Sequence, residues 1–367
     1  MKKNNLGLYI HIPFCNSKCA YCDFVSFVDT KDVQRDYVGA LLREIEGEAQ
    51  ILRQAQDDIE RTKDERIIDT IFIGGGTPSS LYRGGLSDIV DCVRKNFRIS
   101  GDLEFSIEAN PESCDEEFIK ECVEIGVNRL SLGLQSSHAH VLNGIRKHSF
   151  EDFVKAVHLA KNYGITSVCA DLMLGLPNQS VSDAANSVDE LVKMGIGHIS
   201  MYGLKVEDGT DLQKLGYKVD EEESSLMYEL LYERLKGVGY FRYEVSNFAK
   251  KGQECRHNKK YWNLEEYLGV GLSASSLIGG RRKTNTSDLG EYIRGNYFGD
   301  EEASDFVTEK IMLGLRTGEG VELKYIDKNN KKLGAFIENG MVFIEDNRLK
   351  IADKYFYIMN SIISELI

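Results

Sequence analysis

Over the first 205 or so residues, six short apolar segments alternate with stretches of helical spacing, and this alternation restricts the fold more than any other feature of the chain. The predicted strands are Leu6–Ile12, Thr70–Gly74, Leu103–Ala109, Arg129–Gln135, Thr166–Leu174 and His198–Leu204. Between them, Val33–Gln54, Leu86–Asn96, Asp115–Ile125, Phe150–Asn162 and Val181–Met194 carry helical periodicity. Parallel neighbours need a long crossover, which a helix supplies, so β–α alternation implies a parallel sheet. Six units predict an incomplete (β/α)6 barrel of the α/β class.

One face of most of these strands is polar. Tyr9 and His11 alternate with Leu8, Ile10 and Ile12. Glu104, Ser106 and Glu108 alternate with Leu103, Phe105 and Ile107, and Arg129, Ser131, Gly133 and Gln135 with Leu130, Leu132 and Leu134. Asp171, Ser200 and Tyr202 extend the pattern. An ordinary barrel fills its interior with branched apolar side chains. This one is expected to enclose a polar, ligand-holding cavity at the C-terminal strand ends, where parallel sheets bind ligands.

Beyond residue 205 the periodicity predicts helices over Glu221–Leu235 and Asp305–Leu315, a hairpin from Met341–Ile344 and Leu349–Ile351, and a last helix, Lys354–Leu366. Leu264–Gly280 is rich in Gly and Ser and leads into a basic cluster, Arg281-Arg282-Lys283. The expected division is a core over 1–239 and a smaller α+β unit over 240–367. Arg53–Arg66 is charged and weakly amphipathic, as a solvated helix extension and linker would be.

Asp and Glu total 58 against 45 Lys and Arg, a net charge of −13. That excess argues against a nucleic-acid or anionic-membrane partner. The chain lacks a run of about 18 apolar residues that could span a bilayer, and Leu6–Ile12 is too short for a signal peptide. The expected location is the cytoplasm, where disulfides are rare. The eight cysteines are then free, metal-bound or catalytic. Cys92, Cys114, Cys122 and Cys169 have ordinary apolar neighbours and read as structural. His138, His140, His148, His158 and His198 carry no motif and read as surface or structural residues.

Three cysteines follow the first strand directly, in Pro13-Phe14-Cys15-Asn16-Ser17-Lys18-Cys19-Ala20-Tyr21-Cys22. Three thiolates in a C-x3-C-x2-C loop can hold three irons of a [4Fe–4S] cubane and leave the fourth iron open. A zinc site would need a fourth ligand, from His11 or Asp23. Inert buried thiols are the third reading.

This loop resembles that of the radical S-adenosylmethionine (SAM) superfamily. The resemblance implies that SAM chelates the open iron, and that one electron from the cluster splits it to a 5′-deoxyadenosyl radical. Tyr21, before the third cysteine, resembles the residue against the adenine. More narrowly, the chain resembles oxygen-independent coproporphyrinogen III dehydrogenase and its heme-chaperone (HemW-like) relatives. The matching segments are Tyr9-x-His11-Ile12-Pro13-Phe14-Cys15, Cys22-Asp23-Phe24, Gly74-Gly75-Gly76-Thr77-Pro78-Ser79, Glu108-Ala109-Asn110-Pro111, Gly133-Leu134-Gln135-Ser136, Asp171-Leu172-Met173-x-Gly175-Leu176-Pro177 and His257-Asn258-x-x-Tyr261-Trp262.

By this resemblance Tyr9, Gly75, Gly76, Thr77, Glu108, Gln135, Arg146 and Asp171 contact SAM, and Cys15, Cys19 and Cys22 hold the cluster. The dehydrogenase carries a further cysteine two positions after the third and an N-terminal extension. Here that position is Phe24, and the Tyr9 strand begins almost at residue 1. Both departures match the chaperone branch. The expected function is therefore binding of heme and its transfer to apoproteins. His257 is the expected iron ligand, with Cys255 as an alternative. The basic cluster could meet heme propionates or form a solvated loop. Oxidative decarboxylation of coproporphyrinogen III is the alternative activity, and a cluster-bearing interaction protein without radical chemistry is a third reading. Nothing in the sequence decides for or against a dimer.

Overall fold

A computed structural model describes residues 5–57 and 66–367. Most of the segment expected to act as a linker, residues 58–65, lies outside the described residues. The strands are β1 (Asn5–Ile12), β2 (Ile67–Gly75), β3 (Arg98–Ala109), β4 (Arg129–Gln135), β5 (Ser167–Leu174) and β6 (His198–Gly203). After them come β7 (Phe241–Arg242), β8 (Asn247–Ala249), β9 (Tyr267–Val270), β10 (Ser275–Ile278), β11 (Arg281–Asn285) and β12 (Phe298–Ala303). Among the described residues these twelve form one sheet, in the order β12-β11-β10-β9-β1-β2-β3-β4-β5-β6-β8-β7. β1 to β6 run parallel, as the alternation predicts, and β9 lies parallel to β1 on its other side. The row is open and antiparallel at both ends, so the barrel is incomplete.

The outward face of the parallel strands carries the main apolar core. Leu8, Ile10, Ile73, Phe105, Ile107, Leu130 and Leu132 are buried against helices Lys31–Asp57, Gly85–Asn96, Glu116–Glu124, Phe150–Asn162 and Val181–Lys193. Ser149 and Ser180 open the last two of these helices as capping boxes with Asp152 and Asp183. Among the described residues no helix is long and apolar enough to cross a membrane.

The residues after 240 contribute to two sheets. β7 to β12 extend the main sheet, whereas a second apolar cluster runs from Ile311 to Leu366 around a separate sheet. That sheet contains β13 (Val321–Glu322), β14 (Val342–Glu345) and β15 (Arg348–Ile351). The Gly/Ser-rich stretch is β-structure because its glycines permit a tight reversal: a Cβ at Gly269 would lie 2.1 Å from Ser275 O. The basic cluster forms β11 and is charge-paired, Arg281 with Glu301, Arg282 with Glu309, and Lys283 Nζ with Glu48 Oε1 at 2.5 Å. The last helix begins as a 3₁₀ turn, Asp353–Ile358, before the α-helix Met359–Ser364.

One late helix, Arg256–Asn263, closes the floor of the barrel. Glu104, on the inner face of β3, accepts hydrogen bonds from the backbone N–H groups of Arg256 (2.9 Å) and His257 (2.8 Å). This satisfies the exposed donors of the helix N-terminus with a negative charge. One turn later Lys260 Nζ stands 2.9 Å from Asp69 Oδ1, both side chains being less than a tenth exposed. Removing Lys260 strips the buried Asp69 of its nearer cation and leaves Arg256, at 3.7 Å, as a weaker partner. Lys260→Ala should therefore destabilise the chain by about 3–5 kcal/mol in urea unfolding, and the Lys260→Met/Asp69→Leu double substitution by clearly less than the two single losses combined.

Candidate cofactor cavity at the strand ends

The mouth of the barrel is built where the parallel strands stop. β1 runs into Pro13, and the end of β2 crosses beneath it. Gly76 N–H donates to Ile12 O (2.8 Å) and Thr77 N–H to Phe14 O (2.7 Å). A Cβ at position 76 would lie 2.7 Å from Phe14 O, so only glycine permits this approach. At position 75 the backbone has a φ of 111°, and a Cβ would stand 2.4 Å from the His11 ring. The cysteine loop is closed at its base by Phe27 N–H to Pro13 O (2.7 Å) and Cys15 N–H to Phe27 O (2.9 Å). Its far side is anchored by Ala20 and Tyr21, which pack with Val141, Ile145, Met173, Leu176, Leu204 and Leu212.

A cavity of about 380 Å³ opens above the sheet. Cys15, Cys19, Cys22 and Tyr21 form one side, and Gly75, Gly76, Thr77, Glu108, Gln135, Arg146 and Asp171 line the rest. Arg146 Nη1 donates to Cys19 Sγ at 2.6 Å, and Thr77 Oγ1 to Cys15 Sγ at 3.3 Å. Burial pushes the Cys15 and Cys22 thiols up; hydrogen bonds from Thr77 and Ser26 oppose this at Cys15, and the Phe24 backbone opposes it at Cys22. Cys15, Cys19 and Cys22 share this one wall, as three ligands of a single cubane would. His11 is not aimed at these sulfurs: its ring bonds Tyr9 Oη (3.0 Å) and Val25 O (3.3 Å).

The opposite wall carries two acids. Glu108 accepts the Gly75 N–H at 3.0 Å, yet burial and then the charge of Asp171 raise its carboxyl to about 7. Burial also raises Asp171, against hydrogen bonds from Ser200, Cys169 and Ser131. Gln135 ends β4 in the left-handed region, at a φ of 63°, a conformation uncommon for a residue with a side chain. Its Oε1 and Arg146 Nε are buried without hydrogen-bond partners among the described residues. Unmatched acids, an open amide oxygen and a guanidinium fit a ligand with an amine, hydroxyls and a carboxylate, as SAM has.

Two expected site residues are placed elsewhere. Tyr9 lines a second chamber of about 220 Å³ beneath the first, which shares Glu108, Ser131, Asp171 and Tyr202 with it. His257 lies in the floor helix and is 0% exposed. Thr70 Oγ1 binds its Nδ1 (2.8 Å) and Tyr261 Oη its Nε2 (2.7 Å), while Phe72 stacks on the ring at 5.5 Å. Burial, with Lys260 nearby, lowers it to about 3. Both ring nitrogens are thus engaged by side chains of the floor. Cys255, the alternative ligand, is also buried, with its thiol on Glu104.

Asn110 is a further cavity residue. Its Oδ1 accepts from Arg146 (2.8 Å) and its Nδ2 donates to Thr77 (3.1 Å), linking the two residues that bond the cysteines. Its place in the Glu108-Ala109-Asn110-Pro111 segment was the available signal. Lys205 and Glu207, after β6, also line the cavity.

Because Glu108 is raised in the folded state from its ordinary 4.5, its contribution to stability is complete below about 4.5 and is lost as pH rises through about 7. Without SAM, urea unfolding at pH 5 and pH 8 should show the wild type losing roughly 2–3 kcal/mol more than Glu108→Gln over that interval.

The chain matches the sequence profile of the Radical SAM superfamily over residues 9–191. It is 35% identical over 341 residues to the heme chaperone HemW of Bacillus subtilis, an alignment covering 89% of this chain and 87% of that protein. With HemW of Escherichia coli it shares 34% over 322 residues, covering 85% and 82%. The solved structure of coproporphyrinogen III oxidase (HemN) from Escherichia coli, a radical SAM enzyme, superposes with a TM-score of 0.85 at 21% identity, covering 98% of this chain and 89% of that one. That likeness establishes the fold. The chain therefore belongs to the radical SAM superfamily and, within it, to the family of HemW heme chaperones.

Proposed function

We propose that this protein binds heme and passes it to apoproteins in the cytoplasm, carrying one [4Fe–4S] cluster and SAM in the cavity at the strand ends. The observation that carries the reading is the identity to HemW proteins, 35% for the Bacillus subtilis chaperone, sustained along 89% of the chain. Phe24, 65% exposed beside the cysteine loop, supports it, since the dehydrogenase pattern has cysteine at that position.

Cys15, Cys19 and Cys22 would hold the cluster, and Gly75, Gly76, Thr77, Glu108, Gln135, Arg146 and Asp171 would hold SAM, with Tyr21 against the adenine and Tyr9 acting from the chamber below. When bound, the cluster supplies single electrons and SAM an activated carbon–sulfur bond. The chain itself manages charge. Arg146 and Thr77 donate to two of the sulfurs and fix their positions. Glu108 and Asp171 offer negative charge to an amine or a sulfonium. The apolar cluster behind Tyr21 backs the loop on one side. Arg281, Arg282 and Lys283 are held by acids of the chain, which leaves them little to offer heme propionates.

Anaerobic reconstitution should load about four irons per chain, as one cubane requires, and Cys19→Ala should abolish this. The reconstituted protein titrated with hemin should give a saturating Soret shift, and mixing with an apo-hemoprotein should then produce the holo spectrum of the acceptor. An unchanged spectrum, with protoporphyrinogen forming from coproporphyrinogen III, SAM and dithionite, would replace this reading with decarboxylation.

A further inference from the structure

Residues that carry no sequence motif meet at the barrel rim. His138 and His140 lie in the connection after β4, and Asp183 lies in the first turn of helix Val181–Lys193, after β5. One ligating atom from each falls within 4.8 Å of the other two, the one such trio of His, Cys, Asp or Glu among the described residues. Asp183 is oriented before any ion arrives. Ser180 donates its backbone N–H (2.9 Å) and its hydroxyl (2.6 Å) to Oδ2. Nε2 of His140 stands 3.3 Å from Oδ2, and Nε2 of His138 stands 3.7 Å from Oδ1.

The second distance is too long for a hydrogen bond. His138 Nε2 is in fact buried without a hydrogen-bond partner among the described residues. Hydrogen bonding alone therefore does not account for the arrangement. Ligand atoms around a tetrahedral ion, at metal distances of about 2.0–2.2 Å, lie about 3.3–3.6 Å apart, close to the His140–Oδ2 separation, while His138 faces the other oxygen of the same carboxylate, Oδ1. Two imidazoles and a carboxylate select a first-row divalent ion such as zinc and leave a coordination position open. The hydroxyl and N–H of Ser180 supply the outer contacts that orient a ligating carboxylate. The half-exposed His140 gives the ion a way in.

We propose that His138, His140 and Asp183 form a divalent-metal site, distinct from the cysteine loop, that ties the β4 connection to the helix after β5. The connection runs from Gln135 to Arg146, both residues of the cofactor cavity. It is already fastened to the same helix by Ser137, whose N–H and hydroxyl each lie 3.0 Å from Ser187 Oγ. A bound ion is a second fastening, and it holds the segment that delivers Arg146 to Cys19.

The test uses the reconstituted full-length protein and zinc alone, read by calorimetry, by metal content after desalting and by thermal melting. The expected result is one zinc per chain beyond the cluster iron, with a rise in Tm on zinc addition. Cys19→Ala should keep this zinc, since the cysteines do not bind it. His138→Ala and His140→Ala should each lose both the zinc and the Tm rise. Ser180→Ala should weaken binding by about 10–100-fold. His140 is exposed, so its loss does not threaten the fold. Equal zinc binding by the wild type and the His138→Ala/His140→Ala double variant, or no zinc retained by the wild type, would overturn the proposal. Hemin binding is read separately, so either result leaves the chaperone assignment standing or falling on its own assay.

Discussion

Two backbone hydrogen bonds, from Gly76 and Thr77 to the carbonyls of Ile12 and Phe14, decide where the cysteine loop sits. They pin the end of β1 to the end of β2 at a distance that any side chain at position 76 would forbid. The rest of the site is built outward from that crossing. Thr77 reaches Cys15, Asn110 reaches Thr77, and Arg146 bridges Asn110 and Cys19. Four connections between strand and helix thus contribute to one chain of contacts, and each reaches the cavity because parallel strands end on the same side.

The interior shows the cost of that arrangement. Glu108 and Asp171 share a cavity wall, and burial raises both. Gln135 is held in a backbone conformation that a side chain disfavours. A chain shaped only for stability would replace such groups with branched apolar residues. Holding them in place falls to the outer face, where an unbroken apolar layer packs the sheet on its helices, and to the floor, where charge pairs lock the last inward-facing helix.

Much of this was legible in the sequence. Strand–helix alternation located β1 to β6, because the period switches sharply from two to about 3.6 residues, and Cys15, Cys19, Cys22, Gly75, Gly76, Thr77, Glu108, Gln135, Arg146 and Asp171 all line one cavity. Three features were not legible. The strand β9 is four residues long, and its identity rests on pairing with β1, some 260 residues earlier, which no local period encodes. His257 stands in a segment with Tyr261 and Trp262, yet in the fold Tyr261 and the distant Phe72 enclose its ring, which no local pattern encodes. The trio of His138, His140 and Asp183 spans two connections, so only the folded chain brings it together.

The position of β9 also bears on how the molecule is assembled. β1 comes first among the described strands, but its second neighbour and the floor helix come from residues 256 to 270. Glu44, in the first helix, likewise waits for Gly271, Asn285 and Tyr292 to supply its hydrogen bonds. Contacts so distant along the chain form late, because a long loop must close first. The strand that carries the cysteine loop therefore completes its pairing on both sides only once residues 267–270 are in place.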